Sequence, residues 1–319
     1  MNFFLRIFII SLTFLSCSHS QKEAVDVSGV AIEFSVERFE QAFYNTSKES
    51  LKDVKEKFPL FFPSGVSDSV WLAKRNDSEE QALFLETQKI YADFSEVEDQ
   101  LRSLFKHIQY YHPKFKSPKV ITLLSNIDYE NRVVYADSLL LISIDAYLGK
   151  THPFYADYPK YIKENNTKEH LIVDVANAMI DPLMPTSRDR SFFSKMIAAG
   201  KKMYFLDLYL PGISDQEKMG YTTAKLAWAA QQEENVWKYF IEKQLLYSTD
   251  AELNNRFIEN APFSKFYTAQ DPQSPGKIGV YMGWKIVQSF MKHNDVSLQK
   301  LIQIDAQSLL EKSKYKPKK

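Results

Sequence analysis

The sequence predicts an α+β fold in which helix dominates. Three observations carry that expectation. Apolar residues recur at helical spacing through the first third, short β-branched runs replace that period between residues 118 and 144, and helical spacing then returns for the remainder. In the first third, Val36, Phe39, Ala42 and Phe43 share one helical face. Thr46-Ser47-Lys48-Glu49 then reads as a capping box, the threonine and glutamate serving each other's orphan amides, ahead of Leu51, Val54 and Phe58. Pro59 and Pro63 bracket an apolar loop expected to tuck against the core. Ser95-Glu96-Val97-Glu98 opens a further helix, with Leu101, Leu104, Phe105 and Ile108 as its buried stripe and His112-Pro113 as its end. The runs 118–124, 132–136 and 139–144 read as a small antiparallel meander, a sheet of three to four strands, closed by Asp145-Ala146-Tyr147-Leu148-Gly149. A central helix pair follows: one helix over 167–180, a proline-bearing turn, and a second long helix in which Phe192, Phe193, Met196, Ile197, Gly200, Met203, Tyr204 and Leu208 build a wide buried face. Ser214-Asp215-Gln216-Glu217 caps a brief helix, residues 221–246 form one long amphipathic helix, and Thr249-Asp250-Ala251-Glu252 caps the next.

The N-terminus carries an address. Arg6 supplies a positive start and residues 7–15 a short apolar core, and the uncharged run is far below the ~20 residues that span a bilayer, so the segment reads as a signal peptide. Its end, Phe14-Leu15-Ser16-Cys17, resembles a lipobox, in which the cysteine is lipidated and becomes the mature N-terminus. Cys17 is the chain's single cysteine and has no partner for an internal disulfide. The organisation expected is a leader over 1–16, a lipidated tether over 17–35, one domain over 36–312, and a basic tail over 313–319. A flexible tether of ~15 residues has a reach of ~20 Å, which holds the body just off a membrane face. Multiple acyl chains make such anchoring durable.

Lysine plus arginine equals aspartate plus glutamate, forty each, so no overall field draws nucleic acid. At 45% hydrophobic and 14% aromatic, the chain buries a full core. The tail, Lys312-Ser313-Lys314-Tyr315-Lys316-Pro317-Lys318-Lys319, reads either as a solvated end or as a basic docking segment.

Chemistry is sparsely declared. A zinc hydrolase needs two histidines four apart on one helical face, with a glutamate beside the first. The helix over 167–180 offers His170 and Asp174 on one face, no glutamate after His170, and no second histidine. The six histidines contain no pair at metal-ligand spacing, and no phosphate loop, nucleophile elbow or dinucleotide fingerprint occurs, so no cofactor is expected. Gly276, Gly279 and Gly283 fall within eight residues, where each helical glycine costs ~1 kcal/mol against alanine. Tight packing against another backbone is one reading. The other is a groove for a partner or an anionic group, framed by the loop over 263–276 with Phe263, Lys265 and Gly276, and by the helix carrying Gly279. His170, Asp174 and Lys201 complete the candidate groove.

Several segments together resemble the gliding-motility lipoprotein GldB family of Bacteroidota. They are Glu37-Arg38-Phe39-Glu40, Phe58-Pro59-Leu60-Phe61-Phe62-Pro63, Ile127-Asp128-Tyr129, Asp145-Ala146-Tyr147-Leu148-Gly149, Met196-Ile197-Ala198-Ala199-Gly200-Lys201, the run 256–266, Ser274-Pro275-Gly276-Lys277-Ile278-Gly279, and the terminal Ser313-Lys314-Tyr315-Lys316-Pro317-Lys318-Lys319. The resemblance implies a lipid-anchored envelope protein needed for gliding, working beside the motility and type IX secretion machinery. The layout is also similar to a distant group of predicted zinc peptidases, in which His-Glu-x-x-His lies on the first central helix and Glu-Gly on the second. Here Ala199-Gly200 stands where Glu-Gly would be. The expectation is a zincin-like body that lost its metal and serves as a non-enzymatic assembly or accessory factor. A divergent zinc-dependent peptidase is the alternative.

Overall fold

The computed structural model describes residues 25–136 and 138–319. Cys17 and the leader lie outside the described residues. The architecture is α+β and mostly helical, with one four-stranded sheet.

Strand β1 (Val36–Arg38) leads into α1 (Phe39–Tyr44), so the first helix starts later than the apolar spacing suggests. The reason is local. Glu40 is fully buried and takes hydrogen bonds from Arg38 Nε (2.7 Å) and Thr122 Oγ1 (2.6 Å), which pins the strand-to-helix turn onto the sheet. Helices α2 (Leu51–Lys57), α3 (Asp68–Asn76) and α4 (Ser78–Tyr91) follow. The expected capping box before α2 does not form. Ser50 is the cap residue, and the hydroxyls of Thr46, Ser47 and Ser50 bond among themselves instead. Phe43, Tyr44, Leu51, Phe58 and Phe62 pack with Phe84 and Ile121 into a small second core, and the proline-bracketed loop closes over it. Helix α5 (Ser95–Tyr111) buries Val97, Leu101, Leu104, Phe105 and Ile108 as its spacing requires. Its start is held by Asp93, whose carboxylate accepts from the Ser95 amide at 2.9 Å, rather than by a serine cap.

The sheet is mixed, not an antiparallel meander. Its order is β1, β2 (Lys119–Leu123), β4 (Leu139–Ser143), β3 (Val133–Ala136), with β1–β2 and β2–β4 parallel and only β3–β4 antiparallel. A meander would put β3 in the middle. β3 is half-buried on alternate residues, the pattern of an edge, whereas β2 and β4 bury Val120, Ile121, Leu140 and Ile142 almost completely, as interior strands do. The chain reaches the far edge through a loop over 124–132, and β4 then returns between β3 and β2.

After α6 (Lys160–Lys163) come the two central helices, α7 (Lys168–Ile180) and α8 (Phe192–Tyr209). Next are α9 (Asp215–Met219), α10 (Thr223–Gln231), α11 (Glu233–Glu242) and α12 (Glu252–Phe257). The long helix expected over 221–246 is thus two, broken at Gln232. The chain ends with α13 (Ile278–His293), α14 (Leu298–Gln303) and α15 (Ala306–Ser313). Helix α13 crosses α8 where Gly283 meets Gly200. A Cβ on Gly200 would lie 2.2 Å from the carbonyl carbon of Gly283, and one on Gly283 would lie 2.0 Å from the oxygen of Met196. Trp284, fully buried beside this crossing, is a side chain whose burial contributes on the order of 2–3 kcal/mol.

Both ends of the body are tied down. Phe34 packs edge-on to Phe105 with centroids 5.1 Å apart, so the last residues of the expected tether join the core. The basic tail is docked too: Tyr315 packs edge-on to Trp237 and donates its hydroxyl to Glu233 at 2.9 Å. Among the described residues no helix is long and apolar enough to cross a membrane.

Candidate functional site

One two-lobed cleft collects the chemistry. Its larger lobe, about 450 Å³, lies between α7 and the loop over 124–132, and its smaller lobe, about 220 Å³, adjoins it beside α6 and α10. Asn260 and Lys277 line both.

Helix α7 places His170 and Asp174 one turn apart, with His170 Nε2 3.5 Å from Asp174 Oδ1. On the other side of the ring, His170 Nδ1 lies 2.7 Å from Glu217 Oε1. Glu217 comes from α9. There the Ser214 hydroxyl caps the helix by accepting the Glu217 amide, and the Glu217 carboxylate turns to the histidine. Asp174 Oδ2 accepts the Tyr147 hydroxyl at 2.8 Å and lies 3.5 Å from Arg132 Nη1. Arg132 is anchored from behind by Asn166 Oδ1 at 2.6 Å and by the carbonyls of Ile162 and Asn165. Burial first, and the Asp174 charge second, hold the Tyr147 phenol well above the ordinary range, so it stays a donor.

The wall opposite α7 is a strained loop. Asn126 and Ile127 are both left-handed, at φ 59° and 61°, a conformation that β-branched residues rarely adopt. Asp145, fully buried, overcomes that strain by accepting the Ser125 and Ile127 amides at 3.0 and 2.8 Å. Tyr158 adds a bond to the Ile127 carbonyl at 2.9 Å. Burial raises the Asp145 carboxyl to about 6, against the lowering effect of those amides. The loop presents Tyr129 and Glu130 to the cleft.

Zinc does not fit this donor set. The two carboxylates face opposite nitrogens of His170, so they do not point at a shared position, and Asp174 already carries an arginine. Among the described residues no three His, Cys, Asp or Glu side chains gather where they would hold a metal. What the arrangement offers is recognition: a fixed imidazole, a guanidinium, three asparagine amides (Asn165, Asn177, Asn260) and the Lys277 amine.

Of the residues expected in a groove, the structure brings together His170, Asp174 and Gly276. Lys201 is elsewhere. Its ammonium donates to the carbonyls of Ile302 and Ile304 at 3.3 and 2.6 Å, closing the end of α14, so it belongs to the scaffold. Gly279 packs against Phe257 and Phe192, where a Cβ would be 2.8 Å from the Phe257 oxygen. Phe263 and Lys265 do not line the cleft; the Lys265 carbonyl accepts Arg256 Nε at 2.9 Å and helps fold its own loop. Gly276 precedes α13 rather than lying within it. Glu217, Arg132 and Lys277 escaped the sequence reading. Glu217 reads as part of a cap, Arg132 as a strand start, and Lys277 only as one residue of the run 274–279.

Fold and site together define an α+β, mostly helical body with a polar cleft between its first central helix and a strained loop. The sequence matches the family of gliding motility protein GldB over residues 20–317, and the chain belongs to that lipoprotein family. Neither the curated proteins nor the solved structures gave a match. Membership ties the chain to gliding motility and to the cell envelope.

Proposed function

We propose that this protein is a non-enzymatic assembly or accessory factor of the gliding and type IX secretion machinery, anchored in the cell envelope by lipid on Cys17, and that the two-lobed cleft docks another envelope protein. One observation supports the absence of chemistry above the others. His170 Nδ1 is already bonded to Glu217, His170 Nε2 lies 3.5 Å from Asp174, and Asp174 itself is held by Tyr147 and Arg132. A hydrolytic site instead keeps a base or metal position open to substrate. The zincin-like layout, on this reading, persists as a scaffold.

The test is gliding in cells that carry His170→Ala or Asp174→Ala at normal protein level, paired with metal analysis of the purified protein. Continued spreading and no stoichiometric metal are expected. Loss of gliding in both variants, with one tightly held zinc per chain, would instead establish the divergent peptidase.

A further inference from the structure

The smaller lobe carries an imbalance of charge that the neutral whole hides. Three lysines line it, Lys160 from α6, Lys225 from α10 and Lys277 from the start of α13. Among the described residues none of the three forms an ion pair. The acid on that wall, Glu164, is held by Lys150 at 3.3 Å. Lys225 Nζ donates to the Pro262 carbonyl and Lys277 Nζ to the Met219 carbonyl, each at 3.0 Å, which leaves donors of both ammonium groups unused. Asp174, the acid whose field reaches Lys277, is already bonded by Tyr147 and Arg132.

Lys277, like Lys201, donates a hydrogen bond to a helix-end carbonyl, here Met219 at the close of α9, but it also lines both lobes of the cleft. It adopts a left-handed backbone (φ 56°), which is unfavourable for a residue with a Cβ, and its amine lies at the junction of the two lobes. Burial lowers that amine to about 8, so a negative group beside it would relieve an existing penalty.

We propose that the smaller lobe is an oxyanion site, taking a carboxylate or phosphate group between Lys160, Lys225 and Lys277, with the carrier of that group lying in the larger lobe. A volume of about 220 Å³ admits one such group and its first few attached atoms. The proposal deepens the docking reading by naming the chemistry of what docks. It is measured on purified protein rather than in gliding cells, so either can fail without the other.

Calorimetric titration of the full-length chain at low salt provides the test, in two arms. One arm uses inorganic phosphate, and the other uses acetyl-dialanine as the free acid and as its amide. Binding of phosphate or of the free acid, tighter than about 10 mM and weakening with added salt, is expected, with the amide silent. The arm that binds identifies the group. Lys277→Gln is expected to weaken binding at least tenfold. Lys160→Glu, a change at an exposed rim position that leaves the fold intact, is expected to weaken it at least threefold. The proposal is overturned if neither anion binds, if acid and amide bind alike with phosphate silent, or if Lys160→Glu binds as tightly as the parent.

Discussion

The crossing of α8 and α13 and the cleft above α7 are both meetings of elements far apart in sequence, yet they are built on opposite terms. At the crossing, backbone touches backbone and no volume is left for even one methyl group at Gly200 or Gly283. At the cleft, α7 and the 124–132 loop stand apart around open volume, and the contact is carried by charged and hydroxyl side chains. Glycine contact fixes a distance and cannot be tuned. A side-chain network can be rewired one group at a time, so function that varies is expected at the second junction and rigidity at the first.

The sharpest way to break this contrast is to add one carbon at the crossing. Gly283→Ala places its Cβ against the Met196 carbonyl, a backbone atom that cannot swing aside, and is expected to lower stability by about 3 kcal/mol or more. Thermal denaturation followed by circular dichroism measures it. A change below 1 kcal/mol would mean that the two helices slide freely, and the distinction between the junctions would collapse.

The next effect concerns a carboxylate that belongs to the scaffold. Asp207 on α8 accepts Trp284 Nε1 at 2.7 Å, Gln288 Nε2 at 2.8 Å and Lys218 Nζ at 3.1 Å, tying α9 and α13 to α8. Burial raises its pKa even with the lysine alongside. Asp207→Ala strands three donors and is expected to cost about 2–3 kcal/mol, read by urea unfolding. His170→Ala at the more open cleft is expected to cost less. If the order reverses, the cleft is the structural keystone and the crossing network is dispensable.

How much of this was legible in the sequence follows the same division. Gly279 and Gly283 four apart announced a close helix approach, because a repeated missing side chain has few other uses. Gly200 reads as one member of the buried face of α8, and nothing in its spacing names it as their counterpart, the surface on which Gly283 sits. His170 and Asp174 were placed on one face by helical periodicity alone. Glu217 was out of reach, since its distance to His170 depends on how α9 packs on α7, and no spacing encodes that. The strand order failed for a related reason. Short runs near one another suggest hairpins, and composition does not separate the two strands: Val133-Val134-Tyr135-Ala136 is as continuously apolar as Leu139-Leu140-Leu141-Ile142, and only the fold leaves β3 alternating in burial at the edge.

Lys201 supplies the finest test of which junction a residue belongs to. The sequence reading places it in the candidate groove, but the structure buries its amine against the carbonyls of Ile302 and Ile304, and burial lowers its pKa from the ordinary 10.5 to about 8. Between about pH 8 and 10.5 the unfolded chain therefore holds a proton that the folded chain has released, and stability contributed by this site rises with pH through that window. Below the window the charged amine is buried at a cost in the folded state alone. From pH 8 to 10 the parent is expected to gain roughly 1–2 kcal/mol over Lys201→Met, which keeps the stem and removes the titration. Other lysines and the buried tyrosines titrate in both proteins, so the difference between the two curves isolates the one amine. Parallel curves would place Lys201 in water, outside the scaffold, and would reopen its assignment to the cleft.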